Sequence, residues 1–210
     1  MSKVSLYDLE YVIFDFETTG LYANQNDDIL EIGAIKMKGD QPTGDIFSTL
    51  VNIQRKIPKA ATAVNGITNQ DIKDQPTIEE VFPKFIHFIG NKVLLAHNAE
   101  FDLSFIERYL KRFPRVSLNN PCLDTLQLSR MLYPYEKKHN LDAIAARFEI
   151  RQQLDTRHRS VGDCLLTAKI FGEFLKTLKR RRAATLAHVK ACLFKAPKIE
   201  QPQAQALSLF

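Results

Sequence analysis

In Tyr11-Val12-Ile13-Phe14-Asp15-Phe16-Glu17, Val12, Phe14 and Phe16 share one face of an extended chain, and Asp15 and Glu17 leave the other. This β-rich run, closed by Thr18-Thr19-Gly20, predicts a strand. Ile29 to Lys38 and Asp45 to Ile53 are also strand-like, with the turn signal Gly39-Asp40-Gln41-Pro42 between them. Together these segments predict three consecutive antiparallel strands. From Thr77 to Ile89 the period changes: Ile78, Val81, Phe82, Phe85, Ile86 and Ile89 form one helical stripe. Lys92 to His97 predicts a short buried strand, and Glu100 to Phe113 a helix with Phe101, Phe105 and Tyr109 spaced by four. After Pro114 the pattern loosens, and Leu123 to Met131, Asn140 to Phe148 and Ser160 to Leu178 predict three further helices. Hairpins first and helix–strand alternation afterwards predict an α/β domain, a mixed sheet covered by helices. Ala196 to Gln205, with two prolines and three glutamines, predicts a flexible tail.

Composition narrows the class. The 210 residues, 45% hydrophobic and 25% charged, suit one well-cored domain with an appendage. Neither a secretory signal nor a run of about 20 apolar residues is present, so the expectation is a cytoplasmic protein without a membrane partner. Three widely spaced cysteines, with no CxxC pair, favour a reducing compartment over a disulfide framework or a zinc site. The net charge of +5 conceals an asymmetry: Lys176 to Lys198 carries eight Lys/Arg and no acid, while the preceding chain is slightly acidic. Such a segment suits nucleic acid or another acidic partner, and equally a solvated helix end. The expected division is therefore a domain at 1–178 and a basic segment and tail at 179–210.

Chemistry concentrates at element junctions. Asp15 and Glu17 emerge side by side from an apolar strand, an arrangement that a divalent cation would compensate and that an exposed strand end would also explain. Asp102 follows a second buried strand, where a helix begins; acids also favour first helical turns. Asp163 opens the last long helix, within a Ser160-x-x-Asp163 sequence that a capping box would account for, and His158 lies in the loop before it. Read as a set, four carboxylates and one histidine suit Mg²⁺ or Mn²⁺ rather than zinc. Two such ions, roughly 3.5–4 Å apart, serve phosphodiester hydrolysis, for which histidine is the natural general base.

Three runs resemble the exonuclease motifs of the DEDDh 3′→5′ exonuclease family: Asp15-Phe16-Glu17-Thr18-Thr19-Gly20, His97-Asn98-Ala99-Glu100-Phe101-Asp102 and His158-Arg159-Ser160-Val161-Gly162-Asp163. Bacterial members of that family include the proofreading epsilon subunit of DNA polymerase III, ribonuclease T and oligoribonuclease. Val64-Asn65-Gly66-Ile67-Thr68 and Asn140-Leu141-Asp142-Ala143 resemble two of its connecting segments, and the likeness covers roughly residues 10–176. It implies a ribonuclease H-like fold, a largely five-stranded mixed sheet with helices on both faces. It further implies that Asp15, Glu17, Asp102 and Asp163 hold two Mg²⁺ ions, replaceable by Mn²⁺. Asp15 would bridge the ions and Asp102 would act directly or through water. His158 would deprotonate the attacking water, and Thr18, Thr19, Asn65, Asn98 and Phe101 would lie near the terminal nucleotide. The chain departs from the family at Asn65, where many relatives carry histidine, and at Val161, Gly162 and Cys164, where small alanines and leucines are common.

The chain ends Leu207-Ser208-Leu209-Phe210, which resembles the peptides by which bacterial replication and repair proteins grip the sliding clamp; a frayed apolar terminus is the plain alternative. The expected substrate is DNA 3′ ends in bacterial proofreading or repair, with the clamp and a DNA polymerase as partners. RNA 3′-end trimming is the alternative within the enzyme class, and an inert clamp-bound module the alternative outside it.

Overall fold

The computed structural model describes residues 4–113, 117–151 and 159–195. The three predicted opening strands are present as β1 (Glu10–Thr18), β2 (Ile29–Lys38) and β3 (Gln41–Leu50). They pair antiparallel in sequence, with Gly39 at φ +57° in the turn between β2 and β3. β3 starts earlier than the pattern suggested, because the turn is closed by Gly39 and Asp40 and pairing resumes at Gln41 opposite Lys38. Two short helices, α1 (Lys59–Asn65) and α2 (Asn69–Ile72), fill the next connection. Neither is long enough to present a periodic stripe, and the sequence reading passed over both.

The amphipathic segment before residue 90 is α3 (Ile78–Ile89), started by Thr77, whose N–H donates to the Glu80 carboxylate at 2.8 Å. β4 (Val93–Ala96) follows and pairs parallel with β1; α4 (Ala99–Arg112) comes next. The segment read as one helix from Leu123 divides. Pro121–Asp124 is strand β5, parallel to β4, and Thr125–Leu132 is helix α5, with Asp124 as its N-cap. The apolar pair Cys122 and Leu123 belongs to the sheet core, so the helical pattern starts only after the cap. α6 (Leu141–Arg147) and α7 (Ser160–Arg180) complete the helices.

The sheet order is β3-β2-β1-β4-β5-β6, where β6 (Leu193–Lys195) adds a short antiparallel edge strand to the expected five. Helices lie on both faces. Val12, Phe14 and Phe16 of β1 join Phe82 and Phe85 of α3 and Phe105 and Tyr109 of α4 in one core. Tyr11 and Ile13 join Leu128 of α5, Ile144 of α6 and Phe171 and Phe174 of α7 in the other. Packing does not stop at residue 178. Leu6 N–H donates to Ala184 O at 3.0 Å, Leu186 N–H donates to Val4 O at 3.2 Å, and Val189 and Cys192 are buried. These contacts attach residues 184–192 to the body of the fold, and the residues read as tail, 196–205, lie outside the described residues. Among the described residues no helix is long and apolar enough to cross a membrane.

Candidate active site

β1 is the central strand, where antiparallel pairing on one side meets parallel pairing on the other, and its C-terminal end carries Asp15 and Glu17. Ends of parallel strands at such a switch are the usual place for a site in an α/β sheet. Strand alternation turns both carboxylates toward the face covered by α7, away from Phe14 and Phe16. A register shift between Glu17 and Thr18, where β1 meets β2, bends the strand at the same point. Asp163, buried in the first turn of α7, completes a cluster: Asp15, Glu17 and Asp163 each bring an oxygen within 4.8 Å of the others.

α7 can come this close because β2 carries glycine at position 33. A Cβ there would stand 2.5 Å from the Ser160 carbonyl carbon and 2.6 Å from Val161 N. The bare backbone also lets the Cys164 thiol donate to Gly33 O at 3.4 Å. Burial pushes that thiol well above its ordinary value, and the charges of Asp15, Asp102, Asp163 and Glu31 push it further.

Asp102 is fully enclosed beside this cluster, in the first turn of α4, where its Oδ1 accepts the Phe16 N–H at 3.1 Å. Burial raises its pKa well above the usual carboxylate range. Hydrogen bonds from the Phe16 N–H and its own N–H oppose the shift, and the charges of Glu17 and Asp124 add to it. Asp124 is a further buried acid at this end of the sheet, a residue with no motif around it in the sequence. Its Oδ1 accepts Asn98 N–H at 3.0 Å and Leu126 N–H at 2.8 Å, so it caps α5 while holding Asn98 at φ 66°. His97 Nδ1 lies 2.9 Å from Thr125 Oγ1, a second tie between the same two loops.

Glu31 is the other acid that sequence reasoning missed. It stands directly across from Glu17 in the β1–β2 register, its side chain only 4% exposed. It is neutralised by protein. Arg159 Nη2 donates to Oε1 at 2.7 Å, Arg159 Nε reaches both oxygens at 3.2 Å, and Ser160 N–H donates to Oε2 at 3.0 Å. That hydrogen bonding and charge raise the pKa of Arg159. Glu31, paired with Arg159, thus shares this end of the sheet with the cluster of Asp15, Glu17 and Asp163. The cluster offers only hard oxygen donors, and this donor set fits a divalent cation such as Mg²⁺ or Mn²⁺ better than zinc.

The sequence model of the RNase T exonuclease family matches residues 12–171. The chain belongs to this exonuclease family. It is 45% identical over 173 residues to a DNA polymerase III PolC-type of Clostridium perfringens, covering 82% of this chain but only 12% of that polymerase. It is 36% identical over 174 residues to the DNA polymerase III subunit epsilon of Aquifex aeolicus, covering 83% of this chain and 84% of that subunit. Exonuclease X, solved in complex with 5′ overhanging duplex DNA, superposes with a TM-score of 0.65 at 27% identity, covering 85% of this chain and 99% of that one. The six-stranded mixed sheet matches the ribonuclease H-like architecture of these neighbours.

In this exonuclease the remaining sequence-derived site residues fall into three groups. Asn98 is exposed and Phe101 half-buried, and both line an open groove of about 820 Å³ between α4 and the loop after β1. Thr18, Thr19 and Asn65 carry side chains already occupied within the protein. Thr18 Oγ1 donates to Gly20 O at 2.6 Å, and Thr19 Oγ1 donates to Asp27 at 3.0 Å. Asn65 Nδ2 donates to Thr18 O at 3.4 Å while its Oδ1 accepts Ile67 N–H at 3.0 Å. These three shape the end of β1 with their side-chain atoms. His158 and the terminal Leu207, Ser208, Leu209 and Phe210 lie outside the described residues.

Proposed function

We propose that the chain removes nucleotides one at a time from 3′ ends of single-stranded or frayed DNA, releasing nucleoside 5′-monophosphates, in proofreading or repair. The observation that carries this reading is the convergence of Asp15, Glu17 and Asp163 within 4.8 Å, in a chain of the exonuclease family. Three carboxylates at that spacing repel one another, and a divalent cation is the compensation their chemistry suits. Two such cations, when bound, supply Lewis acidity and charge neutralisation at a phosphodiester. Asp15, Glu17 and Asp163 would hold them, with Asp102 beside them and Mg²⁺ as the working ion. His158 would take the proton from the attacking water, and Arg159, the next residue, is the one held by Glu31. Asn98 and Phe101 would border the terminal nucleotide.

DNA as the substrate draws support from the polymerase III relatives and from the DNA-bound state in which exonuclease X was solved. The same names support a DNA polymerase as partner, and the sequence of Leu207-Ser208-Leu209-Phe210 supports the sliding clamp as another. The test is a gel assay with 5′-labelled single-stranded DNA and RNA of one sequence, in Mg²⁺ and then in EDTA. A Mg²⁺-dependent ladder shortening from the 3′ end, faster on DNA, is expected. A ladder on RNA alone would transfer the same site to RNA trimming, and no ladder in Mg²⁺ or Mn²⁺ would refute the enzymatic reading.

A further inference from the structure

The loop joining β1 to β2 is held by a charged network that lies apart from the carboxylate cluster. Asp28, 18% exposed at its side chain, accepts Arg55 Nε at 2.9 Å, Arg108 Nη2 at 3.0 Å and the Tyr109 hydroxyl at 3.4 Å. Each arginine then reaches back to the loop's own carbonyls. Arg55 Nη2 donates to Asn26 O at 2.9 Å, and Arg108 Nη1 donates to Ala23 O at 3.2 Å and to Asp27 O. Asp27 closes the loop from inside, accepting Tyr22 N–H at 3.0 Å and Thr19 Oγ1 at 3.0 Å. Gly20 admits it, because a Cβ there would stand 2.3 Å from an Asp27 oxygen.

This loop holds two large apolar side chains outward, Leu21 at 70% exposure and Tyr22 at 55%, and they form one wall of the groove whose other wall includes Asn98 and Phe101. A free loop of this length would lose considerable conformational entropy on forming such a wall. The guanidinium groups spend their donors on the loop, so the network spans it from both sides and neutralises Asp28 beside this groove. We propose that Asp28, with Arg55 and Arg108, is a positioning centre that preorganises the Tyr22–Asp27 loop for the polynucleotide strand, setting substrate affinity and leaving the hydrolytic step unchanged. This rests on the nuclease reading above.

The test measures KM and kcat on a 5′-labelled single-stranded DNA oligonucleotide, together with turnover of the p-nitrophenyl ester of thymidine 5′-monophosphate, which is too small to span the groove. Asp28→Asn removes a negative charge near a polyanion, so simple electrostatics predicts a lower KM, whereas loss of positioning predicts a KM about threefold to tenfold higher. Arg55→Lys keeps the charge at a 42% exposed side chain, where folding is not at stake, but a single ammonium cannot span Asp28 and Asn26 as the guanidinium does. The expected result for both variants is a raised KM with kcat, and turnover of the small ester, within about twofold of wild type. An active wild type with both variants at or below its KM would overturn the positioning role alone. An inactive wild type would instead overturn the nuclease reading on which it depends.

Discussion

Replacing Gly33 by alanine adds one methyl group at the point where β2 meets the start of α7. That carbon would stand 2.5 Å from the Ser160 carbonyl carbon and 2.6 Å from Val161 N, both backbone atoms of the helix start. An ordinary contact lies near 3.4 Å or beyond, so the two chains must part by about 1 Å. The helix cannot give way alone: its first turn is tied to β2 by Ser160 N–H on Glu31 at 3.0 Å and by Cys164 on Gly33 O at 3.4 Å. Overpacking of this kind costs about 1–3 kcal/mol. At about 2–4 °C per kcal/mol for a domain of this size, thermal unfolding should fall by about 2–12 °C. Asp163 sits on the turn that is displaced, and a 1 Å misplacement of a catalytic group can cost about 10²-fold in rate. Activity should therefore fall far more than stability, measured by oligonucleotide hydrolysis at a temperature where circular dichroism shows the variant folded. Unchanged melting and unchanged turnover in Gly33→Ala would refute the seating of α7 on β2 and the account of how Asp163 reaches Asp15 and Glu17.

Three further predictions rest on the same end of the sheet. Arg159→Ala strands a carboxylate that is 4% exposed and should cost about 3 kcal/mol. Glu31→Gln leaves a half-exposed guanidinium free to hydrate and should cost about 1 kcal/mol; equal losses in urea unfolding would contradict the asymmetry. For Asp102 and Asp124 the folded state raises the carboxyl pKa, so in the metal-free protein their protonated forms contribute stability that is present below the unfolded value of about 3.9 and lost as pH rises through the folded values. Asp102→Asn should accordingly lessen the fall in melting temperature of the chelated protein as pH rises, while abolishing hydrolysis; an unchanged pH dependence would show that burial does not raise this carboxyl. Asp15→Asn and Asp163→Asn should abolish turnover with the fold intact and lose the stabilisation by Mg²⁺ or Mn²⁺. That stabilisation should be about 2.7 kcal/mol in wild type at a hundredfold excess over Kd, and a variant retaining it in a thermal shift titration would exclude that residue from the cation site.

Much of this site was legible along the chain, because its parts are written in local patterns. The i, i+2 spacing of Asp15 and Glu17 on an apolar strand determines that they leave one face together, whatever that strand later pairs with. Asp102 and Asp163 fall in first helical turns after a strand and a loop, positions that period and capping signals mark out. The opening hairpins and the long helices follow from the same periodicities. Short elements escaped: α1, α2 and β6 are too brief to show a period, and the strand formed by Pro121–Asp124 runs straight into α5 with no turn residue between them.

What only the tertiary structure decided is which charges compensate which. Glu31 looks like one more acid in a strand, yet its partner Arg159 lies 128 residues away and reaches it only because β2 is registered beside β1 under α7. Gly33 looks like a weak point in a strand until Ser160 is seen pressed against it. Asp28 gathers Arg55 and Arg108 from two other parts of the chain. Local sequence sets the period of each element and the residues on each face. Pairing register and helix seating are non-local, so the sequence alone could not say which carboxylate meets Arg159 and which three converge at the end of β1.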